Sequence, residues 1–139
     1  MFSFDMADTG KRHLYINDAS DLATVTTYTD DTIDFTYADW GVGAEADGTA
    51  KFNGDMADLL FWSGVYVDLS TTANRRLLIN GNKTPVDPDK ASGAVATLGT
   101  PIVRLTNATA TWQTNAGSGG DFTENGALTD ASTIPGPGN

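Results

Sequence analysis

At 139 residues the chain has room for one domain with its own core and no need of staples. Eighteen acidic against eight basic side chains give a formal charge of -10 and a pI near 4.1, a field that repels phosphate backbones and excludes nucleic acid as a partner. Cysteine is absent, which also excludes disulfides and thiolate metal sites.

No stretch approaches the roughly 20 apolar residues that cross a bilayer. The opening MFSFDMADTGKRH lacks the basic-then-apolar order of a signal peptide, so a soluble chain with no membrane partner is expected. Thr, Asp, Ala and Gly are abundant while Glu, Lys and Leu are scarce, a balance that suits short strands and turns and points to an all-β fold.

Residues 2–5 (FSFD) alternate apolar and polar as a strand does, and residues 6–11 hold Asp8 and Gly10, which favour a turn. Residues 12–17 (RHLYIN) read as a second strand, with Leu14 and Ile16 on one face and His13, Tyr15 and Asn17 on the other; residues 18–21 are a polar break. Residues 22–29 (LATVTTYT) are rich in β-branched side chains and predict a strand wetted on at least one side. In residues 31–40, Ile33, Phe35 and Tyr37 stand two apart, a strand or extended loop that delivers Trp40 to the core.

Asp47-Gly48 lies between strand-like runs and predicts a two-residue hairpin turn of the primed type, with the partner strand starting near Lys51. Residues 52–62 (FNGDMADLLFW), which include Phe52 and Gly54, become apolar on both faces and predict a central strand. Ser70 as N-cap, Ala73 and Leu77 one turn apart, and Gly81 as a stop predict one short helix near residues 70–79. Residues 83–99, with Pro85 and Pro88, read as a surface loop, and 101–107 and 108–115 as strands or extended arms. The organisation expected is a β-sandwich over residues 1–115 and a Gly/Pro-rich C-terminal arm over 116–139, ordered only where something receives it.

LYIND at Leu14 to Asp18, Val42-Gly43, and FNGDMAD at Phe52 to Asp58 resemble the later strands of a laminin G-like, concanavalin A-like jelly roll. In that family Leu-Tyr-Val-Asp-Gly precedes a Val-Gly strand, a hairpin and Phe-x-Gly-x-Ile-Ala-Asp. NRRLLING, GTPIVRL, TWQTNAGSGGDF and NGALTDA are similar to the closing segment of lectin-like domains in tailed-bacteriophage structural proteins. The resemblance implies a jelly-roll, antiparallel β-sandwich in a non-enzymatic virion protein, either capsid decoration or a carbohydrate-binding tail or fibre adhesin. Only later strands match, so it also implies open strand edges and an apolar face covered by another copy, a second virion protein or a rearranged smaller sandwich.

Glu45 and Asp47 invite comparison with the glucanase branch of the fold, where carboxylates alternate along one strand as nucleophile, helper and acid. Thr49 stands where the third acid belongs and Asp47 is claimed by the turn, so no catalytic residues are expected. His13 is the only histidine and reads as a surface or interface residue. Asp5, Asp8, Asp18, Asp21, Asp30 and Asp31 fall in or beside turns. They read as solvated turn residues; calcium, which some laminin G-like domains bind, is the one cofactor they leave open, without a matching loop spacing. Asn82-Lys83-Thr84 and Asn107-Ala108-Thr109 match the glycosylation pattern by chance, and GSGGD at Gly117 to Asp121 reads as flexibility or tight backbone packing. Trp40 and Trp62 are assigned to the core, and Trp112, Tyr66 and Asn115 are the candidate contacts to glycan or partner.

Overall fold

Asp and Asn side chains make the turns of this protein. Among the described residues, eight of them accept the backbone N–H two residues on: Asp5, Asp8, Asp34, Asp47, Asp68, Asn80, Asp87 and Asn115. A computed structural model describes residues 1–22, 33, 34, 36, 40–45, 47–106 and 108–131. Between these turns run β1 (Phe2–Phe4), β2 (Arg12–Ile16), β3 (Ala19–Ser20), β4 (Leu59–Phe61), α1 (Thr72–Arg75), α2 (Ala94–Leu98), β5 (Val103–Leu105) and a 3-10 turn at Thr109–Thr111. The described chain is therefore β-rich, with two antiparallel sheets, as its composition predicts. It divides into two compact units, one from the described residues of Met1–Thr32 and Ser63–Thr100, the other from those of Ile33–Trp62 and Pro101–Ile134.

In the first unit β2 lies between β1 and β3, pairing antiparallel with both. Phe2 faces Leu14, Phe4 faces Arg12 and Ile16 faces Ala19, so these side chains share one side of the sheet; Ser3, His13, Tyr15 and Ser20 share the other. The buried side is the polar one. Ser3 is only 8% exposed while Phe2 is 61% and Ile16 54% exposed. The polar groups of β1 and β2 on that side have partners: Ser3 Oγ accepts the N–H of Val67 at 2.8 Å, His13 meets the Tyr66 hydroxyl, and Tyr15 lies under the guanidinium of Arg75, 4.7 Å from ring centre to Cζ.

The β2–β3 turn is Asn17-Asp18, both at positive φ (48° and 68°), the primed two-residue hairpin that Asn and Asp enter more easily than other side chains. There Asp18 meets Arg75 Nε at 2.5 Å through one oxygen and Arg76 Nη2 at 2.6 Å through the other. The nearly buried Arg75 also donates to the carbonyls of Leu69 (2.6 Å) and Ser70 (2.9 Å) and to Thr72 Oγ1 (3.1 Å). Among the described residues of this unit, Leu69, Val86 and Ala94 are the buried apolar ones.

The helix predicted near 70–79 is one turn, Thr72–Arg75, with Thr71 rather than Ser70 at its N-cap. Beyond it the chain turns back on itself: Val86 N–H reaches Leu78 O, Asn80 N–H reaches Thr84 O, and Ile79 bridges Pro85. This small ladder outcompetes further helix. The loop predicted over 83–99 holds a second helix, α2, so two short helices replace the expected one. Gly93 precedes α2 where a Cβ would stand 2.5 Å from the Pro88 carbonyl oxygen, a contact only glycine accepts.

In the second unit β4 pairs with β5, Leu59 facing Leu105 and Phe61 facing Val103. The central strand predicted over 52–62 is reduced to Leu59–Phe61, in a two-stranded sheet; residues 52–58, with Asn53, Gly54 and Asp55, take no strand and are mostly exposed. The strand or arm expected over 108–115 opens instead with the 3-10 turn. The strand predicted over 22–29 falls almost wholly outside the described residues, as does most of that over 31–40.

The two arginines at Asp18 hold its carboxyl well below the usual carboxylate range. The unfolded carboxyl titrates near 3.8, so the stabilisation is complete above about pH 5 and is lost as pH falls through that value towards the depressed folded one. Urea midpoints measured from neutral to acid pH are expected to fall less steeply for Asp18→Asn than for the parent chain. Arg75→Met, which leaves Asp18 with Arg76 alone and strands two carbonyls, is expected to cost about 3 kcal/mol in the same assay.

Candidate functional site

Two hydrogen-bonded clusters and a hairpin carry the residues that the sequence singles out. In the first unit, Tyr66 and His13 Nε2 share a hydrogen bond of 2.7 Å, with Asp68 Oδ1 3.4 Å from the same nitrogen. Asp68 also accepts from the N–H and hydroxyl of Ser70, which, with its backbone bond, holds its carboxyl below the usual range. Desolvation, with Asp68 close by, pushes the Tyr66 phenol up, so it stays protonated. Lys11 Nζ stands 5.5 Å from the Tyr66 ring centre while pairing with Asp5 at 3.1 Å and Asp8 at 3.6 Å. The hydroxyl of the predicted contact residue Tyr66 thus ties β2 to residues 66–68.

In the second unit Asn115 is a bracket. Its Oδ1 accepts the N–H groups of Arg104 (2.7 Å) and Gly117 (2.9 Å), and its Nδ2 donates to the carbonyls of Ile102 (2.9 Å) and Gly120 (3.2 Å). Residues 116–119 are held against 101–104 by Ala116 N–H to Arg104 O, Ser118 N–H to Pro101 O and Gly119 N–H to Ile102 O. A Cβ on Gly117 would lie 2.6 Å from the Ile102 carbonyl oxygen and one on Gly119 2.9 Å from it, so tight backbone packing accounts for these two glycines of GSGGD. Trp112 is half-buried, its indole N–H directed at the Ala57 carbonyl 3.5 Å away.

Residues 43–52 form a hairpin of a different build from the one predicted. Gly48 N–H reaches Glu45 O, and Glu45 N–H reaches Thr49 O, so Gly48 (φ +79°) closes the turn as its last residue instead of sharing a two-residue turn with Asp47. Phe52 N–H then reaches Gly43 O, one residue out of step, and Ala50 at φ +46° takes up the extra residue. Asp47 is engaged by the hydroxyl and N–H of Thr49, bonds that hold its carboxyl below the usual range. That direction is opposite to the one a general acid requires.

Trp40, assigned to the core from sequence, is instead 53% exposed, and Phe52 is 58% exposed. The Phe52 ring lies over Gly54, where a Cβ would come within 2.6 Å of its Cζ. Among the described residues of this unit, Trp40, Phe52 and Met56 are exposed, and Trp112 is partly so. The available signal was Phe-x-Gly: in an unpaired extended segment, glycine two residues on offers a ring bare backbone to lie upon.

Asp5, Asp8 and Asp18 are matched with cations, and among the described residues no group of three His, Cys, Asp or Glu side chains could hold a metal ion. Likewise, no described helix is long and apolar enough to cross a membrane. Asn115→Ala removes four hydrogen bonds from the 101–120 loop pair and is expected to lower stability by about 2 kcal/mol; Asn115→Asp, which keeps the acceptor but turns a second oxygen on the Ile102 and Gly120 carbonyls, should lose at least as much. Urea unfolding of the two variants checks this. No family model, curated protein or solved structure matches the chain.

Proposed function

We propose that the chain is a non-enzymatic structural protein of a tailed-phage virion, a capsid decoration protein of lectin-like, jelly-roll descent that acts as a homo-oligomer at the particle surface. The observation that carries this reading is the inverted sheet of the first unit. β1 and β2 turn Ser3, His13 and Tyr15 to the side that packs, with Ser3 buried, and leave Phe2, Phe4 and Ile16 exposed on the other. Large apolar groups gathered on one sheet face suit a surface completed by neighbours. The resemblance of LYIND, which lies on β2 and its turn, to a jelly-roll strand supports the fold, and that of the closing segments supports the virion.

A second reading, a carbohydrate-binding tail or fibre adhesin, draws on Phe52 and Trp40, because exposed flat rings suit sugar stacking. Quantitative mass spectrometry of purified particles separates the two. Decoration is expected to give tens to hundreds of copies per particle, by the symmetry of a shell, and an adhesin only a few; absence from particles overturns both. Glycan-array binding that Phe52→Ala abolishes would establish the adhesin, and an array without binding would remove it.

A further inference from the structure

An open recess of about 440 Å3 lies on the first unit beside the outward apolar face, lined by Met1, Tyr15, Ile16, Ile79, Pro85 and Lys83. Lys83 is the one charged side chain among its described lining residues. The backbone that presents it is unusual. Lys83 N–H reaches Asn80 O and Asn80 N–H reaches Thr84 O, the same pattern by which Gly48 closes the Glu45–Thr49 hairpin. Lys83 therefore occupies, at φ +67°, the left-handed position that glycine fills in the other turn. A side chain kept at a strained position on the rim of an apolar recess is a reason to look for its partner.

The second unit offers a segment of matching chemistry. Residues 52–58 (FNGDMAD) have no regular structure, and Phe52 and Met56 are exposed on either side of Asp55. Both units are acidic by sequence but unequally so: the first sets six cations, Lys83 among them, against nine carboxylates, and the second sets only Lys51 and Arg104 against nine. We infer that the chain associates head to tail, the Lys83 recess of one copy receiving the Phe52–Asp58 segment of the next. Phe52 and Met56 cover the apolar walls and Ile16, and Asp55 meets the Lys83 ammonium. The contact joins two different surfaces, so each copy offers both halves of it and can bind a neighbour through either. It rests on the homo-oligomer in the function proposed above and not on the virion.

The test is sedimentation velocity of the purified full chain over a concentration series, at low and at high salt. Lys83→Asp and Asp55→Lys are each expected to weaken association by about tenfold or more, since each sets like charges face to face. An equimolar mixture of the two variants is expected to recover parental association, because every contact between unlike copies again joins opposite charges. Lys83→Gly supplies a control: it relieves the left-handed strain, so thermal stability is kept or raised while association weakens. A chain that stays monomeric throughout the series, single variants that associate as the parent does, or a mixture no stronger than its components would each overturn the inference. A monomeric result would leave particle copy number, and with it the virion reading, to be decided separately.

Discussion

The first unit depends on a single carboxylate placed at an awkward point of the backbone. Asp18 closes the β2–β3 hairpin at positive φ, and each of its oxygens meets a different arginine, Arg75 or Arg76. Removing these charges from water is costly, and the cost is offset because Arg75 directs further N–H groups at Leu69 O, Ser70 O and Thr72 Oγ1 and lays its plane over Tyr15. One guanidinium thereby joins a hairpin turn, the face of β2 and the approach to α1. Lysine has neither the fork nor the plane to repeat this. The shortness of α1 matters less than it would in an isolated helix, because its position is set by this side chain rather than by helical propensity.

The inverted sheet follows from the same layer. With Ser3 matched to Val67, His13 to Tyr66 and Tyr15 to Arg75, the inner side of β1–β2 is a hydrogen-bonded layer, and alternation along the strands sends Phe2, Phe4 and Ile16 outward. A large apolar side chain fully removed from water contributes about 2 kcal/mol, whereas an exposed ion pair contributes roughly 0–1 kcal/mol. The outward face can therefore supply most of the driving force for association. In the head-to-tail association proposed above, charges such as Lys83 would then choose orientation and partner more than they supply affinity.

Much of the first unit was legible in sequence: β1 and β2 follow the two-residue alternation of FSFD and RHLYIN, and their connecting turn follows Asp8 and Gly10. The turn chemistry was recognised but assigned to the wrong place. Positive φ at two successive residues belongs to Asn17-Asp18, whose need for a distant arginine pair no local pattern reveals. Which side of β2 is buried was not legible either, since it depends on partners more than fifty residues away. In the second unit the apolar LLFW run found its strand, β4 against β5, but Phe52 to Asp58 did not join it. There a ring seated on Gly54 and a bulge at Ala50 take the place of ladder pairing, and both depend on three-dimensional contact rather than period. Among the candidate contacts, Asn115 marked a real structural centre whose role is to hold the chain's own loops.

The acidic composition has a structural origin as well as an electrostatic one. Asp5, Asp34, Asp47 and Asp68 have carboxyls held below their usual range, in each case first by a side-chain hydrogen bond and then by the backbone N–H two residues on. Asn80 and Asn115 accept the equivalent N–H with a neutral carbonyl oxygen. The turn itself therefore needs an acceptor, not a charge. At Asp34 or Asp47 the negative charge is separable from the fold, and its remaining effect is the field that repels anions and selects cationic partners. At Asp18 the two cannot be separated, because the charge itself holds Arg75 and Arg76. Net charge and foldedness are thus governed by different members of one residue class, and position relative to the arginines, not residue type, decides which.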